Sequence, residues 1–591
     1  MGARGGAHRG RALGGPGGAA DQFPAVPGLC GAGHRDRLVS PSRRAGARDG
    51  GETTAVHGRR DLVARPAVTG VRSGAGLADE PGRRRCGRPA GSRGMSVQSA
   101  GWLSPDAAVA LPAAVAVPLL GGLAVLALRR HSNLREAASL VAGVVVAAMV
   151  LSLWPAVDDG LRFRLWDWLP GISLVFTLEP LGLLFATVAA LLWPVTTLYA
   201  IGYMRGNLQR RQTRFYFFFA LSIAAALWIA FAGNLATLFI GYEVLTLSTW
   251  PLVIHSGNEQ AKRGGRVYLV LLLTTSIGLL LPALVWTAIL AGTTDFVPGG
   301  ILEGKTGAAT LTVLYALYLF GIGKAALFPF HRWLPGAMVA PTPVSALLHA
   351  VAVVKAGVFT VLKVSIYVFG LDTLDVTGAA EPMMWVAAVT LLGAGLIAVT
   401  RDDLKERLAY STVSQLAYIV LAATLANDLA ATGGALHIVN HAAAKITLFF
   451  CAGAVYTATN RTRVSELDGL GRAMPWTFGA FLVAAVSIVG LPPLGGVWSK
   501  WLLLLGAADA GQTVMFGVLL VGSLLSLAYL MPIPVRAFFR PPAEPPAGPG
   551  GSGEAPWTLV LPLVLTAVAC VALFAGVDAV IAPLNEVLES P

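Results

Sequence analysis

Lys324, Lys355, Lys445 and Lys500 each lie inside a stretch that otherwise reads as membrane-spanning helix. A lysine at the bilayer centre costs at least ~3 kcal/mol on insertion scales, so repeated burial of lysine points to a proton or ion path. Two of these stretches are also broken at mid-depth, by Phe328-Pro329-Phe330-His331 and by the run from Gly490 to Gly496. Broken helices at depth are tolerated only where protein or water surrounds them.

Other ionisable residues accompany the lysines. Glu243 has apolar neighbours on both sides and is a natural partner for Lys324. A carboxylate within ~4–6 Å favours the protonated lysine and burial favours the neutral one, so separating the pair would drive the proton onward. The alternative is a static ion pair that only fixes helix packing. His349 and Lys355 are six residues apart, not on one helical face, and should meet different neighbours, as an intermediate station would. His437, His441 and Lys445 follow i, i+4, i+8 spacing, a stripe ~12 Å long on one face. Histidine titrates near neutral pH and can accept and donate a proton, which makes the stripe a candidate relay; the alternative is helix–helix hydrogen bonding.

The same residues argue against other chemistry. His437 and His441 have the spacing of a zinc pair but lack the HExxH glutamate and a third ligand, so no metal site is expected. Gly321-Ile322-Gly323-Lys324 lacks the first glycine and the Ser/Thr of a Walker A loop. Cys30, Cys86, Cys451 and Cys570 show no CxxC spacing, which excludes an iron–sulfur or structural zinc signature. No Ser-His-Asp constellation or nucleotide fingerprint stands out. The expectation is a chain with no cofactor and no redox or hydrolytic centre of its own; any redox chemistry would belong to partner subunits.

The elements that must position these groups are transmembrane helices. Hydrophobic residues are 55% of 591 and charged residues 13%, with mean hydropathy +0.66, values of a polytopic membrane protein. Fourteen apolar spans are predicted, over 107–128, 135–154, 178–202, 215–232, 235–254, 267–291, 309–330, 343–369, 383–400, 409–426, 435–457, 476–502, 513–534 and 557–582. Connections after odd-numbered spans carry the basic residues, such as Arg129, Arg130 and Arg135, Arg210 and Arg211, Lys262 and Arg263, and Arg401, Lys405 and Arg407. The opposite connections are short or acidic, with Asp158, Asp295, Asp372, Asp428 and Asp509. By the positive-inside rule the basic loops are cytoplasmic and both termini lie outside. Spans 4–8 and 9–13 form two blocks of five, an odd number that inverts one block relative to the other and matches broken span 7 with broken span 12. The fold class is therefore all-α polytopic membrane protein, with about fourteen transmembrane helices and two inverted five-helix repeats. Its expected divisions are 95–214 (helices 1–3), 215–370 (first repeat), 371–540 (second repeat) and 541–591 (linker and helix 14).

Residues 1–94 differ from the rest. They hold 17 arginines, no lysine and seven acids, which accounts for +10 of the formal charge of +12. This segment reads as a basic arm for anionic lipid or nucleic acid, as a disordered extension, or as upstream sequence translated in error with the start at Met95. The third reading is the expectation, so no nucleic-acid partner is predicted.

Lys324-Ala-Ala-Leu-Phe-Pro-Phe-His-Arg-Trp-Leu-Pro335 and Ala340-Pro-Thr-Pro-Val-Ser-Ala-Leu-Leu-His349 resemble the signature of antiporter-like proton-channel subunits. Leu408-Ala-Tyr-Ser-Thr-Val-Ser-Gln415 and Gly490-Leu-Pro-Pro-Leu-Gly-Gly-Val-Trp-Ser-Lys500 look like motifs of the same superfamily. It includes the large membrane subunits of complex I, subunits of membrane-bound hydrogenases, and the A and D subunits of Mrp-type cation/proton antiporters. The resemblance covers nearly all of 107–582. It implies a fourteen-helix core with inverted repeats and charged residues along a hydrated mid-membrane axis. It further implies Glu243 and Lys324 as a coupled pair, Lys355 as connecting residue and Lys500 as terminal lysine; His349, His437, His441 and Lys445 fit histidine-bearing members. The chain looks most similar to the Mrp D subunits, which implies a proton-translocating subunit of a multi-subunit antiporter in the bacterial inner membrane; sodium, potassium or protons alone all stay open as what it moves. The alternative is the same module in a complex I or hydrogenase assembly.

Overall fold

The computed structural model describes residues 107–169, 172–541 and 553–588. The expectations for residues 1–94, including Cys30 and Cys86, and for the start at Met95 fall outside these residues. In chain order the main elements begin with α1 Ala110–Ala127 and α2 Ser132–Ser152. A hairpin, β1 Arg162–Leu169 and β2 Ile172–Thr177, follows. Next come α3 Pro180–Gly206, α4 Gln212–Ala230, α5 Leu235–Val253, α6 Glu259–Ala291, α7 Ala308–Gly321 and α8 Thr342–Phe369. The chain continues through α9 Glu381–Thr400, α10 Leu404–Thr424, α11 Asp428–Thr459, α12 Pro475–Val489 and α13 Gly496–Asp509. It closes with α14 Thr513–Phe539, α15 Trp557–Ala575 and α16 Val577–Leu588.

Eleven of the described helices are long and apolar enough to cross a membrane, and α7 and α12 are shorter apolar pieces. The shorter pieces are the two spans that the sequence marks as broken. After α7 the chain makes a 3-10 turn, Gly323–Ala325, turns again at Ala326 (φ +57°), and reaches a cis Phe328–Pro329 bond. After α12 it passes Gly490 (φ +89°) and a cis Pro492–Pro493 bond before α13 begins. A positive φ is easy for glycine, which has no Cβ to clash, and Gly490 stands where α12 must stop.

Burial follows position in the bundle. The apolar window of α8 is wholly buried and that of α11 is 94% buried, whereas those of α1, α6, α14 and α15 are only one-third buried. A helix that is apolar all round belongs at the centre, and one with an unburied apolar face belongs against lipid. At ~1.5 Å per residue, α11 spans ~48 Å and passes beside most of the ionisable residues. Asn234, Asn258, Asp403 and Asn427 cap α5, α6, α10 and α11, each accepting a hydrogen bond from a backbone N–H of the first turn.

Connections gather at two ends. One cavity is lined by Gln209, Ser256, Pro341, Lys405 and Arg461, from the connections after spans 3, 5, 7, 9 and 11. At the other end Arg164, Asn234 and Asp295, from the connections after spans 2, 4 and 6, line another.

Two local features differ from the sequence reading. The hairpin is antiparallel, with Arg162 opposite Thr177 and Phe163 opposite Phe176, so the described chain is not all helix. Arg162-Phe163-Arg164 alternates charged and apolar side chains outside any span, the period of a strand. Arg135 is not a loop residue. It lies buried on α2, paired with Glu136 at 3.3 Å and donating to Gln212 at 2.7 Å, while Arg205 of α3 also pairs with Glu136.

Candidate functional site

Lys324 sits in the turn that interrupts span 7 and has no solvent exposure. A lysine ammonium can only donate. Its Nζ donates to the Tyr242 carbonyl at 2.8 Å and the Thr246 hydroxyl at 2.6 Å, and lies 3.1 Å from the Tyr242 ring centroid. The Lys324 backbone N–H donates to the Tyr242 hydroxyl at 3.0 Å, and Trp333 Nε1 donates to the Gly323 carbonyl at 2.9 Å. These bonds hold the backbone that a regular helix would otherwise have satisfied. Gly357 of α8 abuts the turn so closely that a Cβ there would lie 2.5 Å from Ala325 N and the Lys324 carbonyl carbon.

Glu243 follows Tyr242 on α5 and is half-buried, with a buried Oε1 that has no hydrogen-bond partner. It makes no ion pair with Lys324. The ammonium is held by the carbonyl and hydroxyl of α5, because the lysine rises along Tyr242 and meets the helix at positions 242 and 246.

His349 and Lys355 both reach α11, at different levels. His349 lies in a π turn, Leu347–Val351; its ring packs on Phe449 with centroids 4.8 Å apart, and neither ring nitrogen has a partner. Lys355 Nζ is 2.7 Å from His441 Nδ1. The two residues therefore meet different side chains, as their spacing predicts, but on one helix.

The α11 stripe is intact and buried. With Lys355 donating to His441 Nδ1, the ring proton of His441 sits on Nε2, which has no partner. The His437 and His441 rings are stacked, 5.9 Å between centroids. His437 Nε2 lies 3.2 Å from Gln415 Oε1, an acceptor, and Nδ1 lies 2.9 Å from the Ser499 hydroxyl, so Nε2 carries the proton. Lys445 donates to the Ser411 hydroxyl at 2.6 Å and the Leu408 carbonyl at 3.2 Å.

Lys500, one residue beyond Ser499 on α13, donates to the Val489 carbonyl at 3.2 Å and the Ser523 hydroxyl at 3.0 Å, with its Nζ 4.6 Å from the Tyr418 ring centroid. Tyr418 also packs on His437, centroids 5.7 Å apart. A run of close contacts therefore leads from Lys355 through His441 and His437 to Ser499, Tyr418 and Lys500. Lys324 adjoins this run through the Gly357 contact rather than by a hydrogen bond. Lys445 and His349 stand beside it.

Several members were not singled out from the sequence. Gln415, Tyr418, Ser499 and Ser523 are ordinary helix residues whose role comes from what α10, α13 and α14 bring together. Lys363 is different: it is a fully buried lysine inside span 8, the same signal that marks Lys355. It forms an ion pair with Glu179 at the start of α3. Lys405, read as a loop cation, is half-buried with its Nζ donating to the Ala340 carbonyl at 2.6 Å. Among the described residues no three His, Cys, Asp or Glu side chains converge as a metal-binding group.

Buried ionisable side chains linked between apolar helices define an integral membrane protein with an internal polar axis. Residues 232–526 match the NADH:quinone oxidoreductase/Mrp antiporter transmembrane family. The chain is 32% identical over 431 residues to the N subunit of NADH-quinone oxidoreductase from Desulforudis audaxviator, covering 70% of this chain and 84% of that one. It is 26% identical over 436 residues to the D subunit of the Na(+)/H(+) antiporter from Alkalihalophilus pseudofirmus, covering 72% and 86%. A chain of the Mrp complex from Dietzia sp. superposes with a TM-score of 0.71 at 23% identity, covering 82% of this chain and 97% of that one, a likeness of fold. The protein belongs to the NADH:quinone oxidoreductase/Mrp antiporter transmembrane family.

Proposed function

We propose that this chain is a proton-translocating membrane subunit of a multi-subunit monovalent cation/proton antiporter. Protons move along Lys324, Lys355, His441, His437 and Lys500, with Glu243 biasing Lys324 through space and His349 and Lys445 as side stations. The observation that carries this reading is the Lys355–His441 contact at 2.7 Å, followed by His437 and Lys500 on successive neighbours. A scaffold has no need for buried ionisable groups in sequence, and each is expensive in hydrocarbon. The likeness to the D subunit of a Na(+)/H(+) antiporter supports the antiporter assignment. We further propose that segments 215–370 and 371–540 act as two inverted halves, that the basic connections face the cytoplasm of a bacterial cell, and that both termini lie outside.

The higher identity to the N subunit of an NADH-quinone oxidoreductase favours a second reading, in which the same module serves a redox-driven pump. Purifying the intact complex and identifying its other subunits separates the two. Small antiporter subunits with cation-dependent proton flux are expected; iron–sulfur subunits and quinone-dependent proton flux would replace the first reading with the second. Absence of proton flux coupled to either would refute both.

A further inference from the structure

Lys363 lies eight residues after Lys355 on α8, ~12 Å along the helix, with Thr360 between them. Its ammonium pairs with Glu179, donates to the Ala232 carbonyl at 2.6 Å and lies 4.5 Å from the Phe296 ring centroid. One turn further along α8, the Tyr367 hydroxyl is buried and has no partner. A buried ion pair is by itself weak evidence for stability. The position of this one is more informative.

Three separate segments hold the pair, and each continues within a few residues into the wall of one open cavity of about 490 Å³. Val175 precedes Glu179, Asn234 follows Ala232, and Asp295 precedes Phe296; all three line the cavity. β2 is stitched to the α4–α5 turn there, with Gly233 N–H donating to the Val175 carbonyl at 2.8 Å and Thr177 N–H to the Phe231 carbonyl at 2.8 Å. Lys363 has no exposed side-chain surface, whereas Glu179 keeps 12%. The pair thus lies just behind the wall of this open vestibule, with Lys363 wholly enclosed and the Glu179 side chain, its Oε1 buried, keeping some exposed surface.

We infer that Glu179 is the outer-side proton-release group of the first half of the chain and that Lys363 is its positioning residue. The inference rests on the proposed transport function and its orientation. In the release step a proton reaching Glu179 forms an O–H bond on the carboxylate as the donor's N–H or O–H bond breaks. The neutral acid loosens its hold on Lys363, passes the proton to vestibule water, and the restored carboxylate pairs again. The reverse sequence takes a proton up. The groups facing the pair are Tyr367 and Phe359 from α8, the Ala232 carbonyl from the α4–α5 turn and Phe296 from the connection after α6; of these only Tyr367 carries an ionisable proton. The ~12 Å from Lys355 exceeds one direct transfer, so hydroxyls or water must bridge it.

The test uses the assembled complex in membrane vesicles. Glu179→Gln should lower proton flux at least about 100-fold, as loss of a proton-transfer group does, whereas Glu179→Asp should stay within about threefold of wild type. Lys363→Met should fall with Glu179→Gln and Lys363→Arg should restore flux, because the positioning role needs a cation and not a releasable proton. Asp295→Cys on the vestibule wall keeps the assignment testable if the Glu179 variants fail to assemble. Modifying that thiol from the outer face with a bulky membrane-impermeant reagent should cut the variant's own flux about tenfold, and unchanged flux after complete modification would overturn the inference. An assembled Glu179→Gln complex with wild-type flux would overturn it too. Lys324→Ala separates the two levels: if it transports normally the underlying transport reading fails, whereas a silent Lys324→Ala beside a normal Glu179→Gln removes this assignment alone.

Discussion

Replacing His441 by glutamine isolates the relay from the packing around it. The imidazole Nδ1 accepts from Lys355 Nζ at 2.7 Å, so an apolar replacement would leave a buried ammonium without its partner, at a cost of about 1–3 kcal/mol or more. Glutamine still offers a carbonyl acceptor, one bond further from Cβ than Nδ1, so His441→Gln should assemble at a cost of no more than about 1–3 kcal/mol. Glutamine cannot carry a proton at neutral pH. The next titratable group, His437, is one helical turn further on, ~6 Å along α11, beyond the reach of a single transfer from Lys355. Loss of a general acid–base group slows proton transfer by about 10²–10⁴-fold, so proton flux should drop at least ~100-fold. The assay is fluorescence quenching of a pH dye in vesicles holding the assembled complex, at several pH values, with complex abundance measured in the same membranes. Wild-type flux at every pH from a fully assembled variant would refute the relay and reduce the stripe to helix packing.

Lys324→Ala and Lys324→Arg should both assemble and both lose coupled transport in the same vesicle assay, because arginine keeps the charge but does not release its proton; near-normal flux with arginine would make Lys324 a packing element. Gly357→Ala should destabilise the complex by about 1–3 kcal/mol in a detergent thermal-shift measurement, since its Cβ would fall 2.5 Å from the backbone at Ala325. His255, in the turn between α5 and α6, donates through Nε2 to the Arg210 carbonyl at 3.0 Å, and burial followed by the nearby Arg214 charge pushes its pKa down to about 4. Its folded-state pKa lies below the ordinary 6.5, so its stabilising contribution is complete above pH 6.5 and is lost as pH falls toward 4, up to about 3 kcal/mol. His255→Asn should flatten the fall in thermal stability across that pH window, and an unchanged profile would remove His255 as its source.

Much of the site was legible because lysine within an apolar run is conspicuous whatever the fold. Lys324, Lys355, Lys445 and Lys500 are all buried, and the i, i+4, i+8 pattern of His437, His441 and Lys445 survives because α11 is one unbroken helix. Lys363 carried the same signal as its neighbour Lys355 without being singled out, and its partner Glu179, 184 residues earlier in the sequence, could not be inferred from spacing. Glu243 shows the opposite case. Its sequence neighbourhood marks it as a partner for Lys324, but spacing could not reveal that the ammonium is hydrogen-bonded to a carbonyl and a hydroxyl of the same helix.

The order of residues alone dictates the class of the protein, the succession of its spans, the places where two of them break and which groups can titrate. These follow from local physics: hydrocarbon rejects charge, helices repeat every 3.6 residues, and proline and glycine stop them. Which buried groups touch is settled by packing between helices. Gln415, Tyr418, Ser499 and Ser523 become neighbours of His437 or Lys500 because α10, α11, α13 and α14 pack together, and a hydrogen bond depends on ångström-scale placement across helices that spacing along one helix does not encode.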